Sequence, residues 1–167
     1  LWDSLETARE QVLYGLGFCD VLKISDNEIV WLTGENDYTA GVKWIRDRYN
    51  IPLILVSMGR EGSRAYLEFP ATTRPAEKNG PDGNFATVMV EEKAFLRENT
   101  VDTTGAGDTF FGCILHYLCR YGIQDLNETR LREMLRFANA AASFVTTRKG
   151  ALRVMPGVEQ INKILGE

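Results

Sequence analysis

Features that mark membrane and nucleic-acid-binding proteins are missing from this sequence of 167 residues. No apolar run reaches the roughly 18 residues that a membrane-spanning helix needs, and we expect no signal peptide. Acidic residues outnumber basic residues by 23 to 19, so the basic surface of a nucleic-acid-binding protein is also missing. We therefore expect neither a membrane nor a nucleic acid as a partner.

Cysteine is scarce, with only Cys19, Cys113 and Cys119 in the chain. Their number is odd, and each lies in a sequence context that predicts burial. This pattern favours reduced thiols and a cytoplasmic location over a disulfide framework.

Hydrophobic residues make up 44% of the chain, which is enough for one domain of ordinary size with its own core.

Two common phosphate-binding motifs are absent as well. No Gly-Lys-Ser or Gly-Lys-Thr occurs, which excludes a Walker-type nucleotide triphosphatase. A dinucleotide-binding G-x-G-x-x-G pattern that starts at Gly105 would need its third glycine at position 110, which is Phe110.

The chain is organised around the stretch VDTTGAGDTFFG at positions 101–112. It predicts the end of a strand at Val101, a tight turn and a helix that carries the apolar run from Phe110 to Leu118. The first amides of a helix, together with its dipole, form an anion site, and glycines let a ligand approach the backbone. Asp108 stands at the same place, which suits a base that takes a proton from a hydroxyl attacking a phosphoryl group. A capped turn with Asp108 as a first-turn acid is the structural alternative.

This stretch closely resembles the second signature of the ribokinase-like (PfkB) carbohydrate kinases, Asp-Thr-x-Gly-Ala-Gly-Asp followed by a helix. The resemblance implies that Gly105, Ala106 and Gly107 form an anion hole and that Asp108 is the catalytic base for a sugar hydroxyl. One departure is Cys113, where the family has a small alanine or glycine, and we expect it to alter helix packing without loss of chemistry. The resemblance extends over residues 1–167. It implies that they are the C-terminal portion of the kinase, which binds the nucleotide and holds the catalytic base, and that the N-terminal half and lid are absent.

A second resemblance lies in the segment from Lys23 to Gly34. Ser25 or Asp26 can cap a short helix that ends near Gly34. In the family an Asn-x-x-Glu motif occupies this place, and Glu28 matches its glutamate, which implies a role in positioning Mg²⁺. Fructokinases have a Lys-x-Ser-Asp-x-Glu version of the motif, so the serine points to that subgroup. The structural alternative for Glu28 is a solvated helix acid.

Two further segments resemble nucleotide-contacting parts of the family. Ser57, Gly59 and Gly62 fit a Thr/Ser-x-Gly-x-x-Gly turn, and glycines there allow close approach of a ligand to the backbone. Asn139 lies in an alanine-rich helix that matches the helix lining the adenine pocket. A simple hairpin turn and ordinary close helix packing are the corresponding alternatives.

The segment from Thr147 to Ala151 resembles a Thr-Arg-x-Gly-Ala loop of the family. Backbone carbonyls of that loop and the first aspartate of the signature hold a monovalent cation, usually K⁺, and Asp102 matches this aspartate. Gly150 also has the character of a helix C-terminal glycine.

The remaining pattern indicates an α/β chain, and the resemblance implies a ribokinase-like layered α/β/α fold with a largely parallel sheet. A capping box of Asp3 with Glu6 is expected to start the first helix. The expected elements are helices at Asp3–Leu16, Tyr38–Tyr49, Asn127–Thr147 and Pro156–Leu165, strands at Asp20–Ile24, Leu53–Ser57, Arg64–Phe69, Thr87–Val90 and Ala94–Leu96, a loop at Pro70–Asn84 and a solvated turn at Glu91–Lys93.

The resemblance implies an ATP-dependent sugar kinase that transfers the γ-phosphoryl group of MgATP to a primary hydroxyl, with fructose as the favoured substrate. The segment that begins Leu1-Trp2, together with the Lys23 segment, carries the preference for fructokinase. A kinase of ketodeoxygluconate, ribose or a nucleoside, and a non-catalytic nucleotide-binding fragment, are the alternatives. The implied small molecules are ATP, a sugar, Mg²⁺ and K⁺, and a homodimer of the full-length protein is left open.

Overall fold

The computed structural model of the chain describes residues 2–70 and 85–166. The elements in these ranges are helices α1 (Leu5–Leu16), α2 (Asp26–Thr33), α3 (Tyr38–Arg46), α4 (Ala106–Tyr121), α5 (Glu128–Val145) and α6 (Val158–Leu165), and strands β1 (Val21–Ser25), β2 (Leu53–Ser57), β3 (Ser63–Pro70) and β4 (Phe85–Glu92). Single 3₁₀ turns lie at Gly59–Glu61 and Leu152–Val154. Most of the predicted loop Pro70–Asn84 lies outside the described residues.

The four strands form one sheet in the order β1-β2-β3-β4. Only five residues join β2 to its neighbour β3, which is long enough for a hairpin but too short for the crossover that parallel neighbours need. β2 and β3 are therefore antiparallel neighbours. With six helices and one sheet in the described ranges, the chain has the predicted α/β class. The chain divides into two compact units, one of Leu1–Val56 with Tyr66–Val88 and one of Ser57–Ala65 with Met89–Glu167.

In the first unit, β2 is the most deeply buried element. Its residues Leu53 to Val56 are completely buried, which is the pattern of a strand covered on both faces. α2 and α3 pack together with Ile29, Leu32 and Ile45 buried. Of the two predicted caps of α2, Ser25 and Asp26, the structure selects Ser25, which accepts a hydrogen bond from the Glu28 amide. The predicted end of α2 near Gly34, whose φ is +79°, is confirmed.

Two predictions in this unit are wrong at helix ends. α1 begins at Leu5, and its N-cap is Ser4, whose side chain accepts a hydrogen bond from the amide of Thr7, so the predicted Asp3 capping box does not form. Ser4 is extended, with φ −151°, and a serine in this conformation caps as well as an aspartate. α3 ends at Arg46 rather than Tyr49.

The second unit is built on α4 and α5, which pack along each other. Phe110 and Ile114 of α4 are buried, as are the residues at helical spacing on α5, namely Leu131, Met134, Leu135, Ala138 and Val145. On another part of α5, Ala140 and Ala141 form a cluster with Ile161 of α6, and the half-buried Cys113 packs against it. The departure at position 113 is thus accommodated in helix packing.

The region after β4 differs most from expectation. β4 extends through Glu91 and Glu92, which were predicted in a solvated turn. Their carboxylates pair with arginines, Glu91 with Arg64 at 2.6 Å and Glu92 with Arg132 at 3.1 Å. The predicted strand at Ala94–Leu96 is irregular, and so is the chain at Val101, where a strand end was expected.

Two further corrections concern single residues of this unit. α5 ends at Val145 with Thr146 as its C-cap, so Gly150, with φ +110°, is not the glycine that ends this helix. Cys119 is exposed, against the prediction that all three cysteines are buried, while Cys19 and Cys113 are half-buried. All three thiols are free.

Candidate functional site

The turn between β2 and β3 is closed by its own backbone. The amide of Met58 donates to the carbonyl oxygen of Gly62 at 2.8 Å, and the amide of Gly62 donates to Gly59 at 3.3 Å. Gly62 has φ +111°, and a Cβ atom there would collide with the carbonyl oxygen of Glu92 and lie 2.8 Å from the amide nitrogen of Ala94. Close packing against the end of β4 therefore explains this glycine, whether or not a ligand also approaches it.

The predicted anion site lies at the start of α4. Gly105 is the N-cap with φ +80°, a left-handed conformation that favours glycine, and a Cβ atom there would lie 2.7 Å from the Cβ of Ala151. The amide of Ala106 donates to the carbonyl of Thr103 at 3.2 Å. The amides of Gly107 and Asp108 are then the first-turn donors without a partner inside the helix. Both residues are exposed, so the Asp108 carboxylate stands in solvent at the mouth of this site.

Asp102 links the signature stretch to the segment after α5. One carboxylate oxygen accepts from the amide of Thr104 at 2.9 Å, and the other accepts from the amide of Gly150 at 3.3 Å. The hydrogen bonds from Thr104 lower the pKa of Asp102, and the bond from Gly150 adds to this shift. The amides of Val101 and Asp102 both donate to the carbonyl of Thr146. The structure thus brings Asp102 and the predicted cation-binding loop together.

Asn139 is buried in α5, and both ends of its amide group are hydrogen-bonded within the protein. Its Oδ1 accepts from the hydroxyl of Ser63 at 3.0 Å, while its Nδ2 donates to the carbonyls of Glu92 at 3.1 Å and Lys93 at 3.3 Å. Since both amide hydrogens already bond within the protein, Asn139 fixes the start of β3 and the end of β4 against α5.

A cavity of about 320 Å³ lies within the second unit. Six predicted site residues line it: Ser57, Gly59, Gly62, Ala106, Gly107 and Asn139. Gly105, Asp108 and Asp102 are not among its lining residues, and Glu28 belongs to the first unit. The structure therefore brings the predicted nucleotide turn, part of the predicted anion site and the alanine-rich helix to one cavity.

Several lining residues were missed by the sequence analysis. Apolar surface comes from Phe95, Leu96, Phe110 and Ala142, and the described lining includes Arg60 and Arg97 but no acidic residue. The irregular segment after β4 supplies Phe95, Leu96 and Arg97. Phe95 and Leu96 had been assigned to a predicted strand and were therefore not considered as lining residues. Arg60 lies inside the recognised turn and could have been found there, whereas no pattern marks Arg97.

Glu28 forms the second half of the capping box of α2. Its carboxylate accepts from the backbone amide of Ser25 at 2.7 Å. Partial burial raises the pKa of Glu28, but the hydrogen bonds with Ser25 and the charge of Lys23 outweigh this, so the net shift is downward. The carboxylate is therefore held ionised and has a clear structural role in its own unit.

Residues 2–70 and 85–166 contain no group of three or more His, Cys, Asp or Glu side chains placed to hold a metal ion. Magnesium in phosphoryl-transfer sites is commonly held by one or two carboxylates together with substrate phosphates, so a single glutamate such as Glu28 fits that mode of binding.

No helix in the described part of the chain has the length and apolar character to cross a membrane.

The chain is similar to known proteins of one family. Residues 1–157 match the model of the pfkB family carbohydrate kinases. A curated relative, "Probable fructokinase-4" of Arabidopsis thaliana, is 34% identical over 99% of this chain and 45% of its own length. The chain thus spans somewhat less than half of this relative.

Two solved structures are similar in fold. Aminoimidazole riboside kinase from Salmonella enterica, complexed with aminoimidazole riboside and an ATP analogue, is 25% identical with a TM-score of 0.73, over 99% of this chain and 48% of that one. A double mutant of fructokinase from Vibrio cholerae O395, with fructose, ADP and potassium ion bound, is 26% identical with a TM-score of 0.72. The match covers 98% of this chain and 46% of that one. They confirm the predicted ribokinase-like fold, and together with the family match they show that this chain belongs to the pfkB family of carbohydrate kinases.

Proposed function

We propose that the protein containing this chain is an ATP-dependent sugar kinase, and that residues 1–167 supply its nucleotide-binding and catalytic-base portion. The observation that carries the proposal is the cavity of about 320 Å³ that joins the Gly59–Gly62 turn, the start of α4 and the face of α5 containing Asn139. Its volume is in the range of small-ligand pockets, which is about 300–1,000 Å³. Its apolar wall suits a nucleotide base, and its arginines suit phosphates.

The start of α4 is where the proposed chemistry takes place. A sugar hydroxyl oxygen attacks the γ-phosphorus of ATP, the bond from that phosphorus to the β–γ bridging oxygen breaks, and ADP leaves. Asp108 accepts the proton of the attacking hydroxyl. The backbone amides around Gly105–Gly107 stabilise negative charge on the transferred group, and the free donors of Gly107 and Asp108 support this role. Phosphoryl transfer requires mainly positioning and charge stabilisation, which such a site supplies without a covalent nucleophile.

Two cation roles belong to the proposal. Mg²⁺, when bound with the nucleotide, neutralises charge on the phosphates, and Glu28 is the residue proposed to help position it. A K⁺ ion is proposed near Asp102 and the loop Thr147–Ala151. The hydrogen bonds of Asp102 leave carboxylate lone pairs unused, and the similar Vibrio cholerae fructokinase was solved with potassium bound.

Ser57, Gly59, Gly62 and Asn139 are proposed to form the nucleotide site. Ser57 and the two glycines supply the turn on one side of the cavity. Asn139 is proposed to act by holding the wall in place, because its hydrogen-bonding capacity as a donor is used within the protein.

Fructose is the substrate we propose first, since the curated relative carries the name fructokinase. A riboside is the second candidate, because the structure of aminoimidazole riboside kinase is as similar to this chain as that of the fructokinase. Ribose and ketodeoxygluconate remain alternatives from the sequence, as does a non-catalytic nucleotide-binding role. The location in the cytoplasm and a homodimer of the full-length protein also stay predictions.

The test is ADP release by the protein at its full natural length, with MgATP and a panel of fructose, ribose, ketodeoxygluconate and aminoimidazole riboside, with and without K⁺. Turnover with fructose alone supports the fructokinase proposal. Turnover with another substrate keeps the mechanism and overturns the substrate. No turnover with any of these, while ATP still binds, contradicts the kinase proposal in favour of a binding role.

A further inference from the structure

The electrostatic character of the cavity differs from that of the whole chain. The chain carries a net charge of −4, yet the described lining of the cavity includes two arginines and no aspartate or glutamate. A concave, partly apolar site with unbalanced positive charge favours an anionic ligand, since its walls have low polarisability and charge interactions are strengthened there.

Arg97 is the more unusual of the two arginines. It is half-buried, its Nε atom is buried, and this atom has no hydrogen-bond partner among the described residues. Because Nε is shielded by protein atoms, the donors that Arg97 can offer to a ligand are the terminal nitrogens of its guanidinium. Arg46 also has an unpartnered Nε, but its guanidinium donates to the carbonyls of Pro52 and Tyr66 and pairs with Glu68. Arg97 makes no comparable bond to the residues that the structure describes.

The backbone that carries Arg97 is held in place on the cavity wall. The hydroxyl of Thr100 donates to the carbonyl oxygen of Arg97 at 3.0 Å. Four residues earlier, Asn139 anchors the chain through the carbonyl of Lys93. The guanidinium therefore extends from a positioned segment, which reduces the entropy lost when it binds a ligand.

We infer that Arg97 binds a phosphate oxygen of the nucleotide and gives this cavity its preference for a nucleoside di- or triphosphate over the nucleoside. The planar guanidinium is suited to phosphate because its donors match two oxygens at once. This inference rests on the proposed function, in that it assumes the cavity is the nucleotide site. It adds a phosphate-binding side chain that lies outside the glycine-rich signature.

The experiment measures the affinities of ADP and adenosine by isothermal titration calorimetry, with the protein at its full natural length. The variants are Arg97→Gln, Arg97→Lys and Arg120→Gln. Arg120 is an exposed arginine near the C-terminal end of α4, far along the helix from the cavity, and its variant makes the same charge change. Thermal melting of each variant reports whether it is folded.

Arg97→Gln is expected to weaken ADP binding by about 10- to 100-fold and to leave adenosine binding unchanged, because only a charge-assisted hydrogen bond to phosphate is lost. Arg97→Lys should retain part of the ADP affinity, and Arg120→Gln should bind both ligands as the wild type does. Unchanged ADP affinity in Arg97→Gln, or an equal loss for ADP and adenosine, overturns the inference while the nucleotide site stands. If the wild-type protein binds neither ADP nor adenosine, both the proposed function and this inference are overturned.

Discussion

Gly62 lies where the turn after β2 meets the end of β4, and both its conformation and its surroundings require a residue without a side chain. Its φ is +111°, and a Cβ atom would overlap the carbonyl oxygen of Glu92. The neighbouring atoms are backbone, which cannot move aside as the end of a flexible side chain can. The glycine that the sequence suggested for ligand approach is thus needed by the fold itself.

We predict that Gly62→Ala lowers the free energy of unfolding by about 2–5 kcal/mol, from backbone strain and steric overlap together. Gly112→Ala is the matched control, because a Cβ at this exposed position in α4 meets no atom within 4 Å. That variant should be neutral or more stable by up to about 1 kcal/mol. Equal stability of the two variants in urea denaturation would show that the overlap is relieved at little cost.

Asp102 gives a prediction about pH. Hydrogen bonds from Thr104 and Gly150 lower its pKa in the folded state, so folding favours the carboxylate. This contribution is fully present above the ordinary pKa of about 3.9 and is lost as the pH falls through the lower folded value. Asp102→Asn should therefore reduce Tm at pH 7, and the difference from wild type should shrink as the pH approaches 3. A Tm difference that stays constant over this range argues against the hydrogen-bonded carboxylate.

At the scale of elements, helix caps decide where α1 and α2 begin. Ser4 and Ser25 are both extended residues whose side chains accept a hydrogen bond from an amide in the first turn. The second was one of two predicted candidates, because Ser25 and Asp26 stand side by side before the short helix, and the structure selects Ser25. The first was assigned to Asp3, one residue too early, because adjacent aspartate and serine are equally good caps in sequence and only the backbone conformation separates them.

Ser4→Ala is expected to cost about 1 kcal/mol of folding free energy, whereas Asp3→Ala should cost close to nothing. Ser4→Ala removes the acceptor of the Thr7 amide and the hydrogen bond to the Thr7 hydroxyl, whereas Asp3 caps neither group. Chemical denaturation of both variants measures the difference. A larger loss of folding free energy for Asp3→Ala than for Ser4→Ala would instead support the capping box of Asp3 with Glu6 that the sequence predicted.

Strand prediction failed where apolar residues serve a cavity instead of a sheet. Ala94, Phe95 and Leu96 have the composition of a buried strand, but they are irregular and line the cavity. Conversely, Glu91 and Glu92 continue β4, and their carboxylates pair with arginines from distant parts of the sequence. Neither outcome is visible in local propensity, since both depend on partners far away in the chain.

At the scale of the molecule, the signature stretch carried most of what could be predicted. Its resemblance implied the family, and the turn at Gly59, the start of α4 and Asn139 do meet at one cavity. Of the two arginines in its lining, Arg60 lies inside the recognised turn and could have been found, whereas Arg97 could not be predicted, because its place in the cavity depends on tertiary packing. The internal role of Asn139 was hidden for the same reason, since its partners lie 46 to 76 residues away in sequence.

The proposed site separates into a binding part and a reacting part. The cavity lining excludes Asp108, which is exposed at the first turn of α4, so the proposal assigns nucleotide affinity and proton removal to different residues. A substitution at Asp108 should therefore affect turnover and leave nucleotide binding intact.

The most direct test of this account is the turnover of Asp108→Asn, measured as sugar-dependent ADP release beside ATP affinity in the full-length protein. The account predicts a loss of about 10²- to 10⁴-fold in turnover, the usual contribution of a general base, with ATP affinity nearly unchanged. Asp125→Asn, the same change at an exposed position of the same unit, should behave as wild type. Full turnover in Asp108→Asn would contradict the assignment of the base.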